Sequence, residues 1–137
     1  MINKEFIPYE QALVLKKLEF DGKCFGAYDK KYKLTTTTSD YWDNSSLYRL
    51  NDYFGSNTYR CLAPLYQQSF RWFREKHGIY TTGADSIFDE QCRSYFYHQI
   101  YDEKNNVLFN CDDEFDTYKE AELECLKKLI ELCTILK

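Results

Sequence analysis

Residues 63–80, APLYQQSFRWFREKHGIY, state a helix, its stop and the start of a strand in one short run, and the rest of the chain can be ordered around them. Leu62, Leu65, Tyr66, Ser69, Phe70, Phe73 and His77 recur at i, i+3, i+4 and i+7, which places them on one face of a helix. Pro64 suits the first turn and Gly78 a left-handed C-cap, while Arg74, Lys76 and His77 put positive charge at the negative end of the helix dipole. The spacing predicts a helix over 62–77 with Arg71 and Arg74 pointing away from its apolar face. Trp72 lies at the margin of that face, one turn before Lys76, where it either completes the core or anchors a partner.

Working toward the C-terminus, residues 79–82 read as a strand, followed by an indefinite loop. A second strand, 94–101, pairs with 107–111 across the Asn-rich connection 102–106, whose residues tolerate left-handed backbone. Alternation puts Phe96, His98 and Ile100 on one face and Tyr95, Tyr97, Gln99 and Tyr101 on the other. The last helix opens with a capping box, Thr117 to Glu120, and carries Tyr118, Cys125, Leu129, Leu132, Cys133 and Leu136 as an apolar stripe. Asp112, Asp113, Glu114 and Asp116 precede it, where the dipole favours negative charge.

Toward the N-terminus, Ala12, Leu15 and Leu18 recur after Pro8 and predict a helix over 8–19. Residues 24–28 and 32–36 flank Asp29-Lys30-Lys31 as a hairpin. The stretch 37–59 has the Ser, Asn, Asp and Gly content of a loop, with a short helix inside it capped by Asn44 or Ser45 and carrying Leu47, Tyr48, Leu50 and Phe54. The order is α-β-β-(loop)-α-β-β-β-α. It predicts one α+β domain over 1–137, an antiparallel sheet with helices packed on it and a long polar and aromatic loop at 37–59.

Composition bounds the function. At 137 residues, 44% hydrophobic and 29% charged, the chain can bury a real core. A net charge of -4 argues against a dedicated nucleic-acid binder, which needs concentrated positive surface. The start has no apolar signal region and the longest aliphatic run is residues 12–15, so a cytoplasmic, reduced protein without membrane segments is expected. Six cysteines, none within a CxxC spacing, suggest core residues and no metal or other cofactor.

Three pieces, IPYEQALVLKKLEFDGKCFGAYD (7–29), APLYQQSFRWFREKHGIY (63–80) and YKEAELECLKKLIEL (118–132), resemble small proteins encoded by phages and mobile elements of Bacteroidota. The resemblance leaves 35–59 and 83–93 unmatched. It implies a biological setting and carries over no catalytic or binding residues.

Each chemical constellation has a plainer reading beside it. The β-β-β-α tail follows the order of double-stranded RNA-binding domains, yet the final helix bears Asp116, Glu120, Glu122 and Glu124 where phosphate contacts need lysine. Cys92, His98 and Cys111, with Asp112 or Asp113, match no ligand spacing, and His98 alternates as a strand residue. A cysteine nucleophile paired with His77 or His98 is open by composition alone. The carboxylates at 112–116 serve the helix dipole, and Lys30, Lys31 and Lys33 solvate a hairpin tip. What remains is aromatic excess: thirteen Tyr, ten Phe and two Trp, six of these rings within 41–59. Those rings either fold back over the core or form a recognition surface. Tyr41, Trp42, Tyr48, Tyr53 and Tyr59, with Arg71 and Trp72, are the candidate partner- or ligand-binding residues. The expected function is a non-enzymatic binding protein, a phage or mobile-element accessory factor acting on a protein partner. The alternative is a nucleotide-type ligand binder in which rings stack a base and Arg71, Arg74 or the lysine tip meets phosphate. An exposed ring patch also suits a homodimer.

Overall fold

Pro64 ends a strand rather than opening a helix, and this shift reorganises the middle of the chain. The computed structural model describes residues 5–37, 41–55, 58–88, 94–110 and 115–136; the side chains of 53–54, 82–88, 94–95 and 136 are outside that description. In chain order the elements are α1 (Tyr9–Lys17), β1 (Gly26–Asp29), β2 (Leu34–Thr36), α2 (Asn44–Phe54), β3 (Tyr59–Leu62), α3 (Tyr66–His77), β4 (Tyr80–Phe88), β5 (Ser94–Tyr101), β6 (Val107–Asn110) and α4 (Tyr118–Leu136). The fold is α+β, as read from the sequence. Its strands form two three-stranded antiparallel sheets, β2-β1-β3 and β4-β5-β6, where one sheet was expected. The chain divides into two compact units, Met1–Gln68 and Ser69–Lys137.

In the first unit, Pro8 supplies the fixed φ from which α1 starts, and its carbonyl accepts the Ala12 N–H at 2.9 Å. The helix stops in a Schellman turn: Glu19 has φ +68, its N–H returns to the Lys16 carbonyl, and the Phe20 N–H to that of Leu15. Ala12 and Leu15 face the core. β1 is the central strand, with Ala27 opposite both Thr35 of β2 and Leu62 of β3. Gly26 is needed there, because a Cβ would come within 2.8 Å of the Phe6 ring. Tyr28 donates its hydroxyl to the Ile7 carbonyl at 2.6 Å, and the Ile7 N–H bonds the Pro64 carbonyl at 3.0 Å. At the β1–β2 tip the Asp29 carboxylate accepts the backbone N–H groups of Lys31 and Lys33, and all three lysines stay exposed.

β3 is the strand that sequence periodicity missed. The residue before a proline is driven to extended backbone, so 59–63 pairs with β1 and Leu62 leaves the helical face assigned to it. α3 then starts at Tyr66, and the Gln68 side chain accepts the Leu65 N–H at 2.8 Å, which is half of a capping box.

In the second unit, Gly78 closes α3 at φ +64, the left-handed stop expected of it. β4 runs to Phe88, well past residue 82, because it pairs with the full length of β5 from Tyr80↔Tyr101 to Phe88↔Ser94. Gly83, Asp85 and Ser86 disguise it as a loop. The β5–β6 turn is as read: Asn105 is left-handed at φ +64, and the Asp102 carboxylate accepts from the Lys104 and Asn106 backbones. α4 packs on β4 and β5 through Ala121, Cys125, Leu126, Leu129 and Cys133, all buried. Its cap is Thr117, whose hydroxyl oxygen accepts the Glu120 N–H at 3.2 Å.

Candidate functional site

The stretch expected to be mostly loop is ordered over its described part by polar side chains that bond backbone. Trp42 exchanges both backbone hydrogen bonds with Cys24 at 2.7 Å, which fixes residues 41–43 against the chain entering β1. Asp43, not Asn44 or Ser45, is the N-cap of α2: its carboxylate accepts the Ser46 N–H at 2.9 Å and the Ser46 hydroxyl at 3.0 Å. Asn44 is used elsewhere, donating its amide to the Phe20 carbonyl at 3.0 Å. At the other end of α2 the Asn51 side chain acts as a strand partner for Tyr59, accepting its N–H at 2.8 Å and donating to its carbonyl at 3.1 Å. Leu47 is buried beneath the helix as expected.

These clips form a groove of about 540 Å³ in the first unit, lined by Lys23, Tyr41, Trp42, Asp43, Ser46 and Arg49 among others. Tyr41 is 56% exposed with its ring 4.8 Å from that of Phe25. Trp42 is half-buried, its ring 6.1 Å from that of Tyr59. The Ser46 N–H and hydroxyl, then the positive charge of Arg49, hold the Asp43 carboxyl below the usual carboxylate range. Among the described lining residues, Lys23 and Arg49 stand against a single carboxylate, Asp43, which is committed to the cap, and the Tyr41 and Trp42 side chains line the same groove.

Of the sequence candidates, Tyr41, Trp42 and Tyr59 come together here. Tyr48, 73% exposed, stands on the outward side of α2, next in sequence to Arg49. The Tyr53 side chain lies outside the described residues. Arg71 and Trp72 belong to the second unit. Arg71 is bound to Glu75 at 2.8 Å, one helical turn on. Trp72 is only 6% exposed, packed edge-on to Phe73 and His77, so the anchor reading is corrected to a core residue. Sequence reasoning missed Lys23 and Arg49, isolated cations that only the Cys24–Trp42 bridge and the α2 cap bring to one place. Asp43 carried a local signal, an N-cap residue directly before Asn44-Ser45-Ser46.

The cysteine and histidine questions divide. Cys92, Cys111, Asp112, Asp113 and Glu114 lie outside the described residues. His98 is buried and stacked against Phe109 and Phe115, at 5.7 and 6.2 Å between ring centres. Among the described residues no group of three or more His, Cys, Asp or Glu comes together to hold a metal ion. Cys24 and Cys61 are buried thiols whose charged form is disfavoured: burial, then the neighbouring Cys61, pushes Cys24 up to about 12. Burial carries Cys61 to about 11 against the opposing charges of Lys16 and Arg60. His77 and Cys133 do meet, with Nδ1 and Sγ 3.3 Å apart beside a cavity of about 360 Å³.

Comparison with known proteins adds no family. The chain matches no family model, no curated protein and no solved structure. Among the described residues no helix is long and apolar enough to cross a membrane.

Proposed function

We propose that this is a non-enzymatic binding protein whose first unit takes an anionic, ring-bearing ligand of nucleotide type. The observation that carries the reading is the convergence of the Tyr41 and Trp42 rings with Lys23 and Arg49 in one concavity. Ring faces stack a base and cations receive a phosphate, and the volume is within the range of about 300–1,000 Å³ usual for small-molecule sites. The polypeptide around the groove is held by its own hydrogen bonds at Cys24, Phe20 and Tyr59, an arrangement that limits the ordering entropy lost on binding.

Native mass spectrometry of the purified protein, followed by equilibrium dialysis against nucleoside mono- and diphosphates, tests this. The expected result is saturable, 1:1 retention that falls at least tenfold in Arg49→Ala and in Trp42→Ala. No saturable retention across the panel overturns it.

The second reading is capture of a protein partner, as an accessory factor of a phage or mobile element working in the cytoplasm. Its support is Tyr48, a large ring 73% exposed on α2, and the resemblance of the three sequence pieces. A second copy of the chain is one such partner. Here Tyr48→Ala lowers partner retention, or the oligomer mass seen in the native spectrum, while nucleotide retention is unchanged.

A further inference from the structure

We propose that Cys133 is a reactive thiol served by His77, and that this site in the second unit is modified by small disulfides and related soft, thiol-directed electrophiles. It is independent of the groove reading. The geometry is that of a nucleophile with its proton acceptor. Cys133 Sγ and His77 Nδ1 are 3.3 Å apart, although 56 positions separate the two in sequence. His77 lies in the last turn of α3, whose carbonyl-rich end favours an imidazolium. The Trp72 ring, 4.8 Å away and nearly perpendicular, holds the imidazole in place.

Burial alone does not distinguish Cys133, which is 2% exposed, from Cys24, Cys61 and Cys125. Its neighbours do. Cys24 and Cys61 are raised thiols in the first unit, and Cys125 is fully buried with the Thr81 hydroxyl at 3.3 Å. Cys133 lines a cavity together with the His77 imidazole, about 360 Å³ bounded also by Gly78 and Glu103. Gly78, left-handed at φ +64, lines this cavity too, and its lack of a Cβ leaves room for the Glu103 carboxylate. Among the described residues at the rim, Lys76 stands against Glu103 and a Glu75 already paired with Arg71, so the opening carries little net charge and suits an uncharged electrophile.

In the step itself, the thiol proton passes to His77 Nδ1 and the Cys133 thiolate attacks one sulfur of the small disulfide. The new S–S bond forms as the old one breaks, and the departing thiolate recovers the proton from His77. One disulfide is consumed, one mixed disulfide and one small thiol are made, and no further oxidant is required.

The experiment treats the reduced 137-residue protein with 2-hydroxyethyl disulfide at pH 7 and follows adducts by intact mass and peptide mapping. Among the four described cysteines, Cys133 is expected to be modified first, at least tenfold faster by peptide mapping than Cys24, Cys61 or Cys125, and His77→Gln to slow that step at least tenfold. In urea the natural and variant proteins should react alike, which separates the effect of His77 from that of the thiol's chemistry. Should His77→Gln lose the circular dichroism of the natural protein, His77→Asn is read in its place. A Cys133 that stays unmodified in the native protein, or reacts no faster than the other three, overturns the proposal. A native-state rate unchanged in the His77 variant removes His77 from it.

Discussion

The segment from Tyr41 to Leu62 and the helix that follows it are held by different physics. The first is clipped: a backbone bridge at Trp42, an Asp43 cap, an Asn44 amide on Phe20 and an Asn51 amide on Tyr59. The second is packed, with Ser69, Phe70, Trp72 and Phe73 all buried, the Gln68 cap at its start and the Arg71–Glu75 pair on its solvent side. Packing repeats with the period of a helix and can be read along a sequence. Clips are one or two hydrogen bonds to backbone groups, most of them well separated in sequence, and they leave side chains such as Tyr41 and Arg49 facing outward.

The largest test of the packed region is Phe73→Ala. Phe73 is fully buried, so the cavity should cost about 3–5 kcal/mol, measured as a shift in urea unfolding. A loss under about 1 kcal/mol would mean that α3 is not held by its apolar face. Next, Asn51→Ala removes two hydrogen bonds to Tyr59 and should cost about 1–3 kcal/mol, with faster amide exchange at Tyr59. Unchanged exchange there would show that the clip holds nothing.

Asp43 sharpens the contrast through pH. Its carboxyl is lowered in the folded protein, so its stabilisation is complete above the unfolded value near 3.8 and is lost as pH falls through the folded value. Asp43→Asn keeps a good cap and should match the natural protein at pH 7 while losing less stability below about pH 4. Acid unfolding curves of the two proteins that superimpose would contradict the cap. The smallest effect is a gain: Glu19 sits at φ +68 in the α1 stop, and Glu19→Gly should stabilise by about 0.5–1 kcal/mol in thermal or urea unfolding.

The contrast also explains what could be read from the chain. The α3 face, the Gly78 stop, both hairpins and the Thr117 cap follow from residues within a few positions of each other. β3 did not show, because Tyr59-Arg60-Cys61-Leu62 is too short to display alternation and Leu62 happens to continue the spacing of α3. The far half of β4 was hidden by Gly83, at a register irregularity, and by Asp85 and Ser86, whose strand conformation is set by β5 across the ladder. The two-sheet arrangement depends on pairings, β1 with β3 above all, that no local signal encodes. In the groove, Tyr41 and Trp42 stood out as rings, whereas Lys23 and Arg49 join them only through the fold. His77 and Cys133 illustrate the same limit, visible as residue types and paired only in three dimensions.

The central claim is that clipped backbone presents Lys23, Tyr41, Trp42 and Arg49 as one binding groove. Amide and indole NMR spectra of labelled protein, titrated with a nucleoside diphosphate, test it most directly. The account predicts saturable shifts at Lys23, Tyr41, Ser46, Arg49 and the Trp42 indole, with the Trp72 indole unmoved. Shifts absent at saturating nucleotide, or centred on residues of the second unit, would contradict it.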